Sequence, residues 1–128
     1  MEFIIDSYAW IEYVLGSKKG EILKKLFLNS TNQFFTVECC LAEIIGWSLR
    51  YKQDGVAIMK VIKTNSQLLS VNEMNWINAG KERFEQQKTQ KDFGLIDAVI
   101  VIKQNELNCK VVTGDKHFKQ MKNVVFLH

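Results

Sequence analysis

Phe3-Ile4-Ile5-Asp6-Ser7-Tyr8-Ala9-Trp10-Ile11 is the stretch on which the reading of this 128-residue chain turns. A short β-branched and aromatic run stops at an acid, after which Tyr8, Ile11 and Leu15 recur at the spacing of one helical face. A strand that hands a carboxylate to its carboxyl end and passes at once into a helix is the opening of a β–α–β unit. Similar runs recur at Phe34 to Val37, Leu68 to Val71, Lys110 to Thr113 and Val124 to Leu127, so five strands are expected. The gap from Ile5 to Phe34 holds two helices broken near Gly16-Ser17-Lys18-Lys19-Gly20, and a second pair breaks at Gln53-Asp54-Gly55. Glu73 to Gly94 reads as an exposed polar helix and a loop, because Lys81, Arg83, Lys88 and Lys91 interleave with Glu82 and Glu85. Parallel strands need crossovers of this length, so the pattern predicts a parallel sheet between two helical layers, an α/β/α architecture.

The length fits one domain over residues 1–128, and no repeat or glycine-rich stretch divides it. With 47% hydrophobic and 24% charged residues, the composition supports a core and excludes a disordered chain. The longest apolar run, Ala98 to Ile102, is far shorter than the roughly 18 residues of a membrane span. Acidic Glu2 and Asp6 at the start do not suit a secretory leader, and Cys39, Cys40 and Cys109 show no metal or disulfide spacing. The chain is therefore expected in the cytoplasm, off the membrane, with its cysteines as buried thiols. A net charge of +3, from 17 Lys plus Arg against 14 Asp plus Glu, does not by itself establish nucleic-acid binding.

Four acids stand out. Asp6 and Asp115 follow the first and fourth strands, at the carboxyl ends where open α/β sheets bind ligands. Each also suits a helix N-cap. Glu43 and Asp97 lie inside apolar helical stretches, Cys39-Cys40-Leu41-Ala42 before Glu43 and Ala98 to Ile102 after Asp97. Carboxylates so placed pair with a cation, take up a proton or coordinate a metal. If all four converge, repulsion is severe: two unit charges about 4 Å apart cost roughly 4 kcal/mol at an effective dielectric of 20. Divalent cations would remove that cost, and a carboxylate set without neighbouring His or Cys favours Mg²⁺ or Mn²⁺ over zinc. His117 follows Asp115 by two residues but is read as surface or satisfied structure. Hard ions engage phosphates, so phosphodiester hydrolysis by a metal-activated water is the chemistry expected. With only His117 and the terminal His128, no Ser-His or Cys-His constellation competes.

Three stretches then resemble a known family. Ile4-Ile5-Asp6-Ser7-Tyr8-Ala9-Trp10-Ile11, Leu95-Ile96-Asp97-Ala98-Val99-Ile100 and Thr113-Gly114-Asp115-Lys116-His117-Phe118 are similar, in order and spacing, to the motifs of PIN-domain proteins, in particular the VapC-type toxin ribonucleases. Glu43 matches the family's second acid by position, while Glu38 stands where the family often has Ser or Thr. The resemblance implies a PIN domain with sheet order 3-2-1-4-5 and Mg²⁺- or Mn²⁺-dependent endoribonuclease activity on single-stranded or structured RNA. It also implies frequent homodimers and a small antitoxin that blocks the acidic groove. On that picture Asp6, Asp97 and Asp115 are the principal metal ligands, and Glu43 is a ligand or orients the attacking water. All four are the candidate catalytic residues, with Ser7 and Thr113 as hydrogen-bonding partners and Asp92 as a possible auxiliary acid.

An acidic centre repels RNA, so flanking cations must hold the backbone; Lys18, Lys19, Arg50, Lys52, Lys88, Lys91 and Lys116 are candidates. Trp10, Trp47 and Trp76 could stack bases, although Trp10 and Trp47 sit in apolar patterns that suit a core or a dimer contact. A haloacid-dehalogenase-type phosphatase would need a second Asp where Tyr8 stands, and a receiver domain an Asp after the third strand, where Asn72 and Glu73 stand. The alternative kept open is a catalytically silent PIN-like module that binds RNA or a protein.

Overall fold

The computed structural model describes all residues, 1–128. Five parallel strands form one sheet in the order β3-β2-β1-β4-β5: β1 Glu2–Ile5, β2 Gln33–Val37, β3 Gln67–Leu69, β4 Lys110–Thr113 and β5 Val124–Phe126. Six α-helices connect them: α1 Ser7–Leu15, α2 Gly20–Phe27, α3 Cys39–Arg50, α4 Gly55–Asn65, α5 Glu73–Gln86 and α6 Leu95–Leu107. A 3₁₀ turn, Lys116–Phe118, follows β4. This is the three-layer α/β/α, PIN-like architecture expected from the sequence.

Alternation along the strands explains the layers, since successive side chains point to opposite faces. Phe3, Ile5 and Val112 bury into one core with Ala9, Trp10, Leu23, Ile44, Ile58 and Ile62, under α1 to α4. Ile4, Phe35 and Val111 bury into the other, with Ala79, Phe93, Ala98, Val99 and Ile100, under α5 and α6. The crossovers through α1 to α4 step outward from β1 to β2 and β3, whereas the path through α5 and α6 returns to the other side of β1. Strand order therefore reverses between β1 and β4, where the two backbones part and leave a crevice.

Local chemistry sets the breaks. Gly16 ends α1 in the left-handed region at φ 67, and Asp54 caps α4 by accepting from Ala57 N at 3.1 Å. The third strand is shorter than expected and ends at Leu69. Glu38 N donates to the Leu69 carbonyl at 2.9 Å and Glu38 Oε1 accepts from Val71 N at 3.0 Å, which draws the chain off the ladder before Val71. That contact also leaves α3 without a side-chain cap at Glu38. The helix expected to be exposed and polar, α5, does bury Asn75 and Ala79 against α6, while Trp76, Ile77 and Phe84 remain exposed. Cys40 and Cys109 are buried as expected, but Cys39 is only half-buried. No helix is long and apolar enough to cross a membrane.

Candidate active site

The crevice between β1 and β4 opens into a groove of about 520 Å³ walled by α1 and α3. Asp6, Glu43, Asp97 and Asp115 all line it, with Ser7, Tyr8, Ile11, Gly46, Trp47 and Arg50. A cavity of about 540 Å³ between α1, α2 and α4 is slightly larger, but it gathers no set of metal-ligating side chains. Size points there and chemistry points to the acidic groove.

Each acid is delivered by a different element. Asp6 is the first residue beyond β1 and is only 3% exposed. Its Oδ1 accepts from Ser7 N at 2.8 Å and its Oδ2 from Thr113 Oγ1, at the end of β4, at 2.7 Å. Ser7 Oγ also donates to Glu43 Oε1 at 2.9 Å, tying the acid on α3 to the residue that follows Asp6 at the start of α1. Asp97, in the first turn of α6, accepts from Gly94 N at 3.3 Å. Asp115 caps the 3₁₀ turn through His117 N at 2.9 Å, while its own N–H is held by Thr113 Oγ1 at 3.0 Å. The capping role and the groove-lining role are thus both real for Asp6 and Asp115. Ser7 and Thr113 make the carboxylate contacts foreseen for them.

The crowding shows in the proton affinities. Burial, helped by the charges of Asp97, Glu43 and Asp115, raises Asp6 to about 7 despite the opposing Thr113 hydrogen bond. Glu43 and Asp97 are also raised, by desolvation first and by neighbouring carboxylates after it. Glu43 is an exposed residue, yet its carboxylate lines the groove and accepts from Ser7 Oγ there. Groups that resist ionisation together are the signature of a site built for a counter-charge that is not protein.

The expected freedom from His and Cys does not hold. Cys40 Sγ lies within 4.8 Å of oxygens of Asp6 and Glu43, and a His117 nitrogen lies equally near those of Asp97 and Asp115. His117 is a neighbour of the acids and not a surface residue, and its place two residues after Asp115 is the signal for it in the sequence. Its Nδ1 sits 2.9 Å from Asp97 Oδ2 and 3.1 Å from Asp115 Oδ1. Its Nε2 is 3.0 Å from Asp92 Oδ1 but out of hydrogen-bond alignment, so that contact is one of charge. Burial pulls the imidazole down, yet Asp92, Asp115 and Asp97 outweigh it and leave His117 raised. Asp92 in turn is lowered to about 2 by His117 and Lys116.

These neighbours do not make a soft-metal site. Contact with Cys39 and burial raise the Cys40 thiol well above its ordinary value, so an ion taking it as a ligand would first have to displace a tightly held proton. His117 is engaged by carboxylates. The donors left are carboxylate oxygens, which fit a hard divalent ion.

Of the candidate cations, Arg50 lines the groove and Lys19 donates to the Tyr8 hydroxyl at 3.0 Å. Lys116 pairs with Asp92 at 3.1 Å and Lys88 with Glu85 at 3.0 Å, while Lys18, Lys52 and Lys91 stand exposed. Trp10 is core, its Nε1 donating to Thr36 Oγ1 at 3.0 Å, whereas Trp47 sits in the groove wall.

Fold and site together define a PIN-like domain with an acidic groove at its strand switch. No protein-family model and no curated protein matches the sequence. Solved structures do match its fold, and VapC and VapBC proteins are among them. The chain is similar to Mycobacterium tuberculosis VapC20, a sarcin-ricin loop cleaving toxin, with a TM-score of 0.77 at 15% identity over 95% of this chain and 96% of that one. VapBC2 from Rickettsia felis, bound to a DNA fragment from their promoter, gives 0.72 at 16% identity over 98% and 97%. VapBC-1 from nontypeable Haemophilus influenzae gives 0.68 at 17% identity over 98% and 96%. At these identities the likeness is one of fold.

Proposed function

We propose that this protein is a metal-dependent endoribonuclease, folded as one PIN domain over residues 1–128, with Asp6, Glu43, Asp97 and Asp115 as its catalytic and ion-holding residues. The observation that carries the reading is the meeting of four carboxylates, from four separate segments, in one groove where burial and neighbouring charge make Asp6, Glu43 and Asp97 resist ionisation. A hard divalent ion, Mg²⁺ or Mn²⁺, bound there would neutralise the acids, activate a water and stabilise charge on a phosphodiester.

The protein's own groups prepare that chemistry. Thr113 and Ser7 fix the Asp6 carboxylate from two sides, and Ser7 holds Glu43 in the same frame, so neither acid has to be reoriented when an ion and substrate arrive. Glu43, freer and on the opposite wall, is placed to orient the attacking water or to complete the ion's ligands. Asp97 and Asp115 share His117, which holds them together and offsets their charges until an ion does. Arg50 at the groove wall supplies attraction for the phosphate backbone that the acids repel.

The VapBC likeness supports a wider role as the toxin of a pair, restrained by a small antitoxin, in the cytoplasm and as a homodimer. Incubation with RNA in Mg²⁺, Mn²⁺ or EDTA tests the core of the reading. Cleavage should need either ion and fall at least about 100-fold in Asp6→Asn and Asp97→Asn, since even outer partners of metal ligands cost 10- to 100-fold. RNA binding without ion-dependent cleavage would instead indicate a silent module.

A further inference from the structure

Tyr8 lines the groove, and the proposed reaction gives it no task. It lies two positions beyond Asp6 on the first turn of α1, is half-buried, and lines the acidic groove beside Ile11. The Cδ1–Cε1–Cζ side of its ring rests on Gly114, between Thr113 and Asp115: a Cβ at Gly114 would overlap Cε1 and stand 2.8 Å from Cδ1. Only glycine leaves the ring room to lie there. The hydroxyl accepts from Lys19 Nζ at 3.0 Å, and that nitrogen is 5.6 Å from the ring centroid. The two distances put the ammonium out beyond the hydroxyl, nearly in line with the C–O bond, so Lys19 orients the phenol without covering its face. The other wall of the groove carries Ala42 and Gly46, and the space where a Gly46 side chain would project is open.

We infer that Tyr8 is a stacking platform for an unpaired nucleobase beside the scissile phosphate, with Lys19 and Arg50 taking the phosphates on either side. The inference rests on the nuclease reading and adds to it the residue that would seat a base of the unpaired RNA. A phosphodiester lowered onto the four acids brings its neighbouring base against the groove walls. Tyr8 is there the aromatic surface fixed at two points, by Gly114 and Lys19. A base within a duplex already has both faces stacked and cannot use it. An aromatic platform accepts any base, because every base has a π-face.

The test uses the full chain in EDTA and short single-stranded oligoadenylates in which one 2-aminopurine is moved along the strand. Binding should quench 2-aminopurine at one position or a few, for the parent and for Tyr8→Phe. Tyr8→Leu, which keeps apolar bulk, should lose the quenching and bind roughly 5- to 150-fold more weakly. Gly114→Ala, which displaces the ring but keeps it, should do the same and covers the case in which the leucine variant does not fold. Lys19→Gln should lower the slope of log affinity on log salt by about 0.7. Under Mn²⁺, the loss in Tyr8→Leu should fall on KM more than on kcat. Parent-like quenching and affinity in a folded Tyr8→Leu, or a duplex of the same sequence binding as tightly as the single strand, would overturn the platform. A parent that binds with quenching yet cuts no RNA in either ion would instead overturn the nuclease reading beneath it.

Discussion

At the scale of single residues, the site is expensive to keep charged. Asp6 has a folded pKa of about 7 against an ordinary 3.8, with burial the main cause. The folded state therefore holds that proton more tightly than the unfolded chain. Stability from this group is fully present below about pH 4 and is lost as pH rises toward 7, a change worth about 4 kcal/mol. His117 acts in the same direction: it too is raised, so its contribution is present below its ordinary 6.5 and fades at higher pH. The lowered Asp92 contributes fully above its ordinary 3.8 and loses that contribution only as pH falls below it, outside this window. Denaturant titration of the metal-free protein should thus show greater stability at pH 5 than at pH 8. Asp6→Asn should be more stable than the parent at pH 8 and inactive, since an amide can accept from Ser7 N and donate to Thr113 Oγ1 without carrying charge. A destabilised Asp6→Asn at pH 8 would mean that the aspartate is not under the strain assigned to it.

At the scale of elements, two glycines make opposite predictions. A Cβ at Gly20, the start of α2, would overlap the Glu12 carbonyl and stand 2.9 Å from Tyr13 Cα, so α1 and α2 touch backbone to backbone there. Gly20→Ala must force the helices apart, and thermal melting should show a loss of about 1–3 kcal/mol, the usual cost of overpacking. Gly46 lies within α3 with nothing near its missing side chain, and Gly46→Ala should gain about 0.5–1 kcal/mol. The elements themselves were largely legible, because hydrophobic spacing distinguishes strand from helix and Gly16, Asp54 and Gly55 punctuate the chain. The end of β3 was not. Glu38 takes Val71 N from a distant part of the chain, and no local pattern announces such a competitor.

At the scale of the whole molecule, a bound ion should act as a folding ligand. It binds the assembled groove and not the unfolded chain, where the four acids lie far apart in sequence. Mn²⁺ or Mg²⁺ at about 100 times its dissociation constant should therefore stabilise the protein by about 2.7 kcal/mol. At one fixed ion concentration the gain should be larger at pH 8 than at pH 5, where protonated Asp6 competes with the ion and weakens its binding; scanning calorimetry at both pH values checks it, and an equal gain at both would separate the ion from Asp6.

The sequence by itself determined the layer architecture, since strand and helix periods are local, and it marked the acids, because a carboxylate at a strand end or inside an apolar helix is conspicuous in one dimension. Only the tertiary structure decided that Ser7 joins Asp6 to Glu43, that His117 and Cys40 border the acids, and that Tyr8 rests on Gly114. These are contacts between segments that the parallel sheet brings together at its switch point, and their distances follow from how α1, α3 and α6 pack against β1 and β4. Spacing along a chain carries no such distances.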